Sequence, residues 1–333
     1  MGNKKNSTIN NTLEKFWLKK IYKEPIVHIK KLEGGVSSDV YKVQTNSKTY
    51  CIKRSLPKLR VMKEWFADTK RLKYEYLWLK HCKKIIPNSI PNIYQFSAKQ
   101  DFLILEYLNE KNYTTLKSKL LKKDIDIYII NKISKNLSKI HKESKGGLVK
   151  KKFINNSKNF YDLRLDAYFN EVGRVYPNLK KIIKNIIKNY KKYSSTLVHG
   201  DFSPKNILIF NNNIKYIDAE TCNFGDPVFD VVFFSNHLLL KSIHIPDKKN
   251  KFIKSYENFF NTYLKSIKFS QRKNFIDRCI AMVPIMLLAR IDGKSPVEYI
   301  TKKNIKNKIR LLSFNLINNP PKSLEYLIKM INE

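Results

Sequence analysis

Leu197 to Asp230 reads LVHGDFSPKNILIFNNNIKYIDAETCNFGDPVFD. It holds H-G-D-x-x-x-x-N, with His199, Gly200, Asp201 and Asn206, and then Asp218 at the end of the apolar run Ile214 to Ile217. Thr196 to Val198 is a short β run that enters a tight turn at Gly200. Ile207 to Phe210 and Ile214 to Ile217 are two apolar runs separated by Asn211, Asn212 and Asn213, a hairpin signal. The hairpin starts one strand after Asn206 and ends the other at Asp218. Antiparallel pairing would bring those two ends together, so that one cation touches both. Phosphoryl transfer from a nucleotide requires this set: one carboxylate to orient the attacking hydroxyl and take its proton, and an amide oxygen and a second carboxylate to hold the metal that bridges the phosphates. Asp201 takes the first role in that scheme, and Asn206 and Asp218 the second. Each residue alone reads equally well as a turn residue; the ordered set carries the reading.

V-H-G-D-F-S-P-K-N-I-L (198–208), I-D-A-E (217–220) and G-D-P-V-F-D (225–230) resemble the aminoglycoside phosphotransferase and choline kinase superfamily of kinase-like enzymes. A protein-kinase catalytic loop spaces its Asp and Asn in the same way. Gly200 stands where protein kinases carry Arg, and I-D-A-E replaces D-F-G, which argues against a protein kinase. The resemblance extends from the Gly-rich turn at 34–38 to the last helices. It implies an α+β, bilobal protein-kinase-like fold: a small antiparallel N-terminal sheet with one helix, then a larger, mainly helical lobe holding the catalytic hairpin. The activity implied is transfer of the γ-phosphoryl of ATP, with Mg²⁺ as cofactor, to a hydroxyl of a small molecule such as a sugar, a methylthioribose-like compound, an amino alcohol or an aminoglycoside.

The rest of the chain is read against that order. A length of 333 residues fits two lobes, and 42% apolar residues are ample for a core. Residues 1–11 are polar and read as a frayed tail, residues 12–108 as a nucleotide-binding lobe and 109–333 as a catalytic and acceptor-binding lobe. A short helix is expected at 12–21, then strands at 27–32, 40–44 and 48–53. Between the first two lies E-G-G-V-S-S-D (33–39). Its glycines, Gly34 and Gly35, let backbone N–H groups approach phosphate oxygens, with Ser37 and Ser38 following. Lys53 ends the third strand; by the resemblance it would touch the α- and β-phosphates and pair with a helix carboxylate, Glu75 first and Glu64 second. That helix is expected at 71–84, capped by Asp68 or Thr69. The basic, aromatic stretch 56–66 reads either as a lid or as a loop anchored by Trp65. Strands at 93–96 and 102–107 complete a five-stranded sheet. L-E-Y-L (105–108) resembles the linker whose backbone would hold adenine, at Glu106 and Leu108.

Periodic apolar residues mark a helix at 126–143, ended by Gly146 and Gly147, with His141 read as a packing histidine. Helices follow at 160–174, 178–193, 228–240, 250–266, 272–291, 302–317 and 321–331. Asp226 and Pro227 read as N-cap and first residue of the 228–240 helix. By the resemblance Asp230 braces the catalytic loop together with His199. Glu220, Arg290 and Asp292 are candidates for acceptor contact, as is Lys294; a helix C-terminus explains the same letters at 288–295.

Lys and Arg number 65 against 28 Asp and Glu, a net charge of +37. The lysines are spread along the chain with many Ile and Asn, which reads as a composition bias rather than a nucleic-acid site, and no specific nucleic-acid partner is expected. No apolar run reaches the roughly 18 residues of a membrane span, so no membrane partner is expected. Cys51, Cys82, Cys222 and Cys279 lack metal-site spacing and read as reduced thiols of a cytoplasmic protein. Only nine acidic residues follow position 220, which favours a neutral or anionic acceptor over a cation. Two other readings share these letters: a kinase-fold binding or regulatory protein without turnover, and a nucleic-acid-binding protein using its basic surface.

Overall fold

The computed structural model describes residues 25–32, 37–60 and 65–332. The expected tail, the helix at 12–21, Gly34, Gly35 and Glu64 lie outside the described residues.

Five antiparallel strands open the fold: β1 (Ile26–Leu32), β2 (Ser38–Thr45), β3 (Thr49–Ser55), β4 (Ile93–Ser97) and β5 (Phe102–Glu106), in the order β1-β2-β3-β5-β4. Side chains alternate across a strand, and the register uses that. Tyr41, Val43, Tyr50, Ile52, Phe102 and Ile104 form a small core on one face. Lys53, opposite Val40 and Leu103, falls on the other face. That face receives helix α1 (Arg71–Ile85), whose buried residues Arg71, Leu72, Glu75, Trp78, Leu79 and Cys82 recur at three- and four-residue steps. The start of α1 differs from expectation. Asp68 accepts the Lys70 N–H at 2.9 Å in a turn one step too early to cap the helix, and α1 has no side-chain cap.

The remainder is helical around two small sheets, β6 (Thr114–Thr115) with β8 (Ile207–Phe210) and β9 (Asn213–Tyr216), and β7 (Thr196–Val198) with β10 (Asn223–Gly225). Helix α2 (Ile127–Glu143) is capped by Asp126, which accepts the Tyr128 N–H at 2.8 Å. The helix ends at Ser144; Gly146, at φ +99°, opens the next helical segment rather than closing this one. The helix expected at 160–174 is irregular. Tyr161–Asn170 is wound as a wide π-helical turn before Glu171–Val175 resumes α geometry. Helix α3 (Val228–His244) runs one turn past the expected end and is buried on all sides from Val228 to Ser242, as befits a helix at the centre of a lobe. Helix α4 (Phe269–Asp292), which carries Pro284 in its interior, packs beside it. Among the described residues no single helix is long and apolar enough to cross a membrane.

Candidate active site

The chain leaves β7 through Gly200, which lies at φ +77°. A Cβ there would sit 2.4 Å from the carbonyl oxygen of Thr221. Both the conformation and the close approach therefore demand glycine. Asp230, fully buried on α3, accepts the His199 N–H at 2.6 Å and the Gly200 N–H at 2.9 Å, one on each carboxylate oxygen. His141 Nε2 lies 3.2 Å from the same carboxylate, and its Nδ1 is 2.7 Å from the Tyr263 hydroxyl. The turn is thus fastened to α3 from behind. His199 accepts the Asp201 N–H on Nδ1 at 3.2 Å, so its Nε2 is the protonated nitrogen and donates to the Ile217 carbonyl at 3.2 Å. One imidazole links the Asp201 loop to the Asp218 strand end.

Asp201 is buried, and burial alone would raise its pKa; Lys205 at 3.1 Å and Arg164 at 3.2 Å outweigh that and hold it below its ordinary value. Arg164 also donates to the Gly200 carbonyl. Asn206 donates its Nδ2 to the Asp201 carbonyl at 3.0 Å, which leaves its amide oxygen available to a cation. The two-residue turn Asn211-Asn212 joins β8 to β9, and the Ile217 N–H bonds the Asn206 carbonyl at 3.1 Å. This pairing sets Asp218 beside Asn206. Asp218 adopts φ +66°, a left-handed conformation unusual for aspartate, and its N–H is held by Glu75 at 3.2 Å.

Lys53 bonds both Glu75, at 2.7 Å, and Asp218. Burial would depress the ammonium, but the Asp218 and Glu75 carboxylates raise its pKa well above the usual lysine range. Glu75 moves the other way from most paired carboxylates: burial, aided by Asp218 and Glu220, pushes it up to about 7 against the pull of Lys53. Asp218 is held well below the carboxylate range, burial notwithstanding, chiefly by Lys53 and Lys205. The carboxylate oxygens of Glu75, Asp218 and Glu220 lie within 4.8 Å of one another.

These groups open into one cavity of about 980 Å³. Leu32, Val40, Leu105, Leu208 and Ile217 give it an apolar lining, and Ser37, Ser38 and Leu108 line it as well. Glu106 lines it too, but its carboxylate turns to the Asn92 N–H at 2.9 Å. Asp201, Asn206, Asp218 and Lys53 all line the same space. On the far side stand Tyr168, His237, Arg290, Lys294, Glu298 and Tyr299.

Two sequence candidates are corrected. Asp292 does not line the cavity; it is paired with Arg310 at 2.6 Å and accepts the Tyr176 hydroxyl at 2.8 Å. Glu220 is not on the far wall either: it pairs at 3.1 Å with the fully buried Arg71, beside Glu75. In the 56–66 stretch Trp65 is buried, its carbonyl accepts the Leu59 N–H at 2.8 Å, and Lys294 lies 5.3 Å above its ring. That stretch is therefore anchored by Trp65 and reaches the far wall; residues 61–64 lie outside the described residues. Asp226 accepts the Val228 N–H at 3.1 Å, as a cap would, and is also held by Arg278 at 2.8 Å.

Sequence reasoning missed Arg164, Arg71, His237 and Lys205. Lys205 was inside the S-P-K-N motif and its spacing of four from Asp201 was a usable signal. Arg164 had none: only the π-helical winding aims it at the loop. Arg71 donates to Glu220 and to the carbonyls of Ser37, Leu56 and Asp68, joining four segments that no local pattern connects.

Residues 28–241 match the phosphotransferase enzyme family, and the chain belongs to it. It is an enzyme of the small-molecule kinase class. It is 23% identical over 272 residues to a methylthioribose kinase of Exiguobacterium sibiricum, a match covering 74% of this chain and 69% of that one. Among solved structures, an amicoumacin kinase in complex with AMP-PNP and Ca²⁺ superposes with a TM-score of 0.60 at 12% identity, covering 97% of this chain and 98% of the other. A Plasmodium vivax ethanolamine kinase gives 0.54 at 15% identity, covering 87% and 83%. A spectinomycin phosphotransferase in complex with ADP and spectinomycin gives 0.52 at 14% identity, covering 97% of each. At these identities the structural likeness concerns the fold: a strand-rich cap over a helical body.

Proposed function

We propose that this phosphotransferase moves the γ-phosphoryl group of ATP to a hydroxyl of a small, sugar-like acceptor. The observation that carries the reading is the convergence of Asp201, Asn206, Asp218 and Lys53 on one cavity. The apolar lining of Val40, Leu105 and Leu208 suits an adenine ring, with backbone groups near Glu106 and Leu108 in reach of its edge. Lys53, kept cationic and aimed by Glu75, faces the phosphates. The donor set next to it consists of an amide oxygen and a carboxylate. Hard oxygen ligands of this kind fit Mg²⁺. Asn206 and Asp218 would hold the ion, which when bound supplies neutralisation of the charge on the phosphates.

Asp201 is the base in this reading. Its lowered pKa makes it a weak proton acceptor in the ground state. Its work is therefore to orient the acceptor hydroxyl, taking the proton late, when that oxygen has become acidic by bonding to phosphorus. Lys205 and Arg164 keep the carboxylate ionised and fix its direction. The buried Asp230 brace keeps the loop still, so most of the rate gain comes from positioning and electrostatics. The likeness to a methylthioribose kinase supports a sugar-like acceptor. Coupled-assay screening of sugars, nucleoside-derived sugars, amino alcohols and aminoglycosides for Mg²⁺-dependent ADP release tests the proposal. Turnover of at least one class is expected; absence of Mg²⁺-dependent nucleotide binding would defeat it.

A further inference from the structure

Beyond Asp201 the cavity wall comes from α3, the end of α4 and the segment Gly293–Tyr299. Its charged groups are unequal in sign. Lys117, Lys205, Arg290 and Lys294 face two carboxylates, Asp201 and Glu298. Neither carboxylate is free to receive a cation: Asp201 is held by Arg164 and Lys205, and Glu298 by Lys117 at 2.6 Å. Two nitrogens on this wall are buried without a hydrogen-bond partner among the described residues, Arg290 Nε and His237 Nδ1. The His237 side chain is almost wholly buried. Arg290 is held in place by the Tyr168 hydroxyl at 3.0 Å and by Ser295. Its Nη1 is thus fixed while its Nε–H is buried and unused, and such a group calls for an anionic partner. Burial, followed by Lys241, Arg290, Lys205 and Lys117, lowers the His237 pKa far below its usual value. The groups with most influence on Lys53 are Asp218, Glu75 and Glu220. The far wall is thus a second group of charges, joined through Lys205 to the one around Lys53.

Resting on the phosphotransfer reading, we propose that this wall is an anion subsite: the acceptor carries, besides the hydroxyl offered to Asp201, a carboxylate or phosphate group received by Arg290, with His237 and Lys117 beside it. A quaternary amine or polyamine would meet cations here, whereas an acidic sugar or hydroxy acid would meet donors already in place. The bidentate fork of arginine recognises either kind of anion.

The test uses the full chain loaded with Mg²⁺ and AMP-PNP, titrated calorimetrically with two matched sets. One is glycerol, glycerate, glycerol 3-phosphate and aminopropanediol; the other is glucose, gluconate, glucose 6-phosphate and glucosamine. In at least one set an acid should bind at least about tenfold more tightly than its neutral parent, and the amine no better than the parent. The carboxylate and phosphate members separate the two sources of charge. Binding of the acid should also raise the His237 pKa, followed by imidazole NMR, because the anion offsets the surrounding cations. In Arg290→Gln the preference for the acid should collapse. Lys117→Gln, whose side chain is partly exposed and outside the core, should weaken it with no dependence on refolding of the wall. Neutral or amine members binding as well as the acids in both sets, or Arg290→Gln weakening all members alike, would overturn the proposal. Loss of Mg²⁺–AMP-PNP binding instead counts against the phosphotransfer reading, and the acid-to-parent ratio measured without nucleotide still decides the subsite.

Discussion

Two buried lysines on opposite sides of the same cavity behave in opposite ways. Lys53 touches Glu75 and Asp218, and its pKa rises despite burial. Lys241, on α3 behind the far wall, touches the His237 carbonyl at 3.5 Å and the Tyr299 hydroxyl at 3.3 Å, and burial lowers its pKa to about 7. The same ammonium is stabilised where two carboxylates touch it and penalised where burial and the cations Lys117 and Arg290 outweigh the single carboxylate of Glu298. The side that holds Lys53 is a set of paired charges, with the Asn206 amide oxygen left open beside them. The far wall is an unbalanced set, with more cations than carboxylates among its lining residues. Under the proposed phosphotransfer, function would divide along that line: one half would hold chemistry common to many enzymes, and the other would choose the partner.

The largest effect is expected on the side that holds Lys53. Asp201→Asn removes the group that orients the hydroxyl, and turnover should fall by about 10²–10⁴-fold. Binding of Mg²⁺–AMP-PNP should persist, because Asn206, Asp218 and Lys53 remain. Calorimetry beside a turnover assay separates the two. A variant retaining near-normal turnover would remove Asp201 from the reacting centre. Asp218→Asn should show the converse pattern, with metal-nucleotide affinity failing first.

The two halves were unequally legible. H-G-D-x-x-x-x-N and Asp218 could be read because their function fixes their spacing within one strand–turn–hairpin unit. The N-terminal sheet could be read from its alternation, and Glu75 from its place on the following helix. Glu220 and Asp292 misled because acidic residues near a motif look alike until a partner is known; Arg71, 149 residues from Glu220, and Arg310, on the next helix after Asp292, are those partners. His237 and Lys241 lay within an apolar run that reads simply as a core helix. Arg164 depends on a local change of helical pitch that residue type does not encode. The far wall draws on segments well apart in sequence, such as Tyr168, His237 and Arg290, so periodicity never brings its members into one window.

A smaller effect should follow from loosening the paired side without removing a reacting group. Glu75→Gln takes one carboxylate from Lys53 and weakens the hold on the Asp218 N–H. Misdirection of Lys53 should raise KM for ATP by between about tenfold and a hundredfold, with kcat affected less. If KM does not move, Asp218 alone suffices to aim Lys53, and the pairing with Glu75 is not functional. Gly200→Ala probes the turn itself. Its left-handed φ and the 2.4 Å approach to the Thr221 carbonyl should cost about 1–3 kcal/mol, read as a lower urea midpoint with unchanged slope. An undiminished midpoint would mean that the loop relaxes freely and that Asp230 does not pin it.

The mildest test lies on the unbalanced side and has the opposite sign. The folded pKa of Lys241, about 7, is below the roughly 10.4 of a free lysine side chain. Between those values the unfolded chain binds the extra proton and the folded chain does not. Stability therefore rises with pH through that window, and below pH 7 the full cost of enclosing an ammonium is present. Lys241→Met keeps the length of the side chain and removes the charge. It should stabilise the protein at pH 6–7, a gain offset in part by the lost contact with the Tyr299 ring at 4.5 Å. The gain should vanish towards pH 10, where the native lysine is neutral as well. Thermal denaturation of both proteins from pH 6 to 10 reads the effect directly. Parallel curves would show that Lys241 keeps an ordinary pKa and that the far wall carries more compensating negative charge than Glu298 supplies. Converging curves would place an uncompensated cation behind His237, with a bound anion expected to restore native stability to that of the methionine variant.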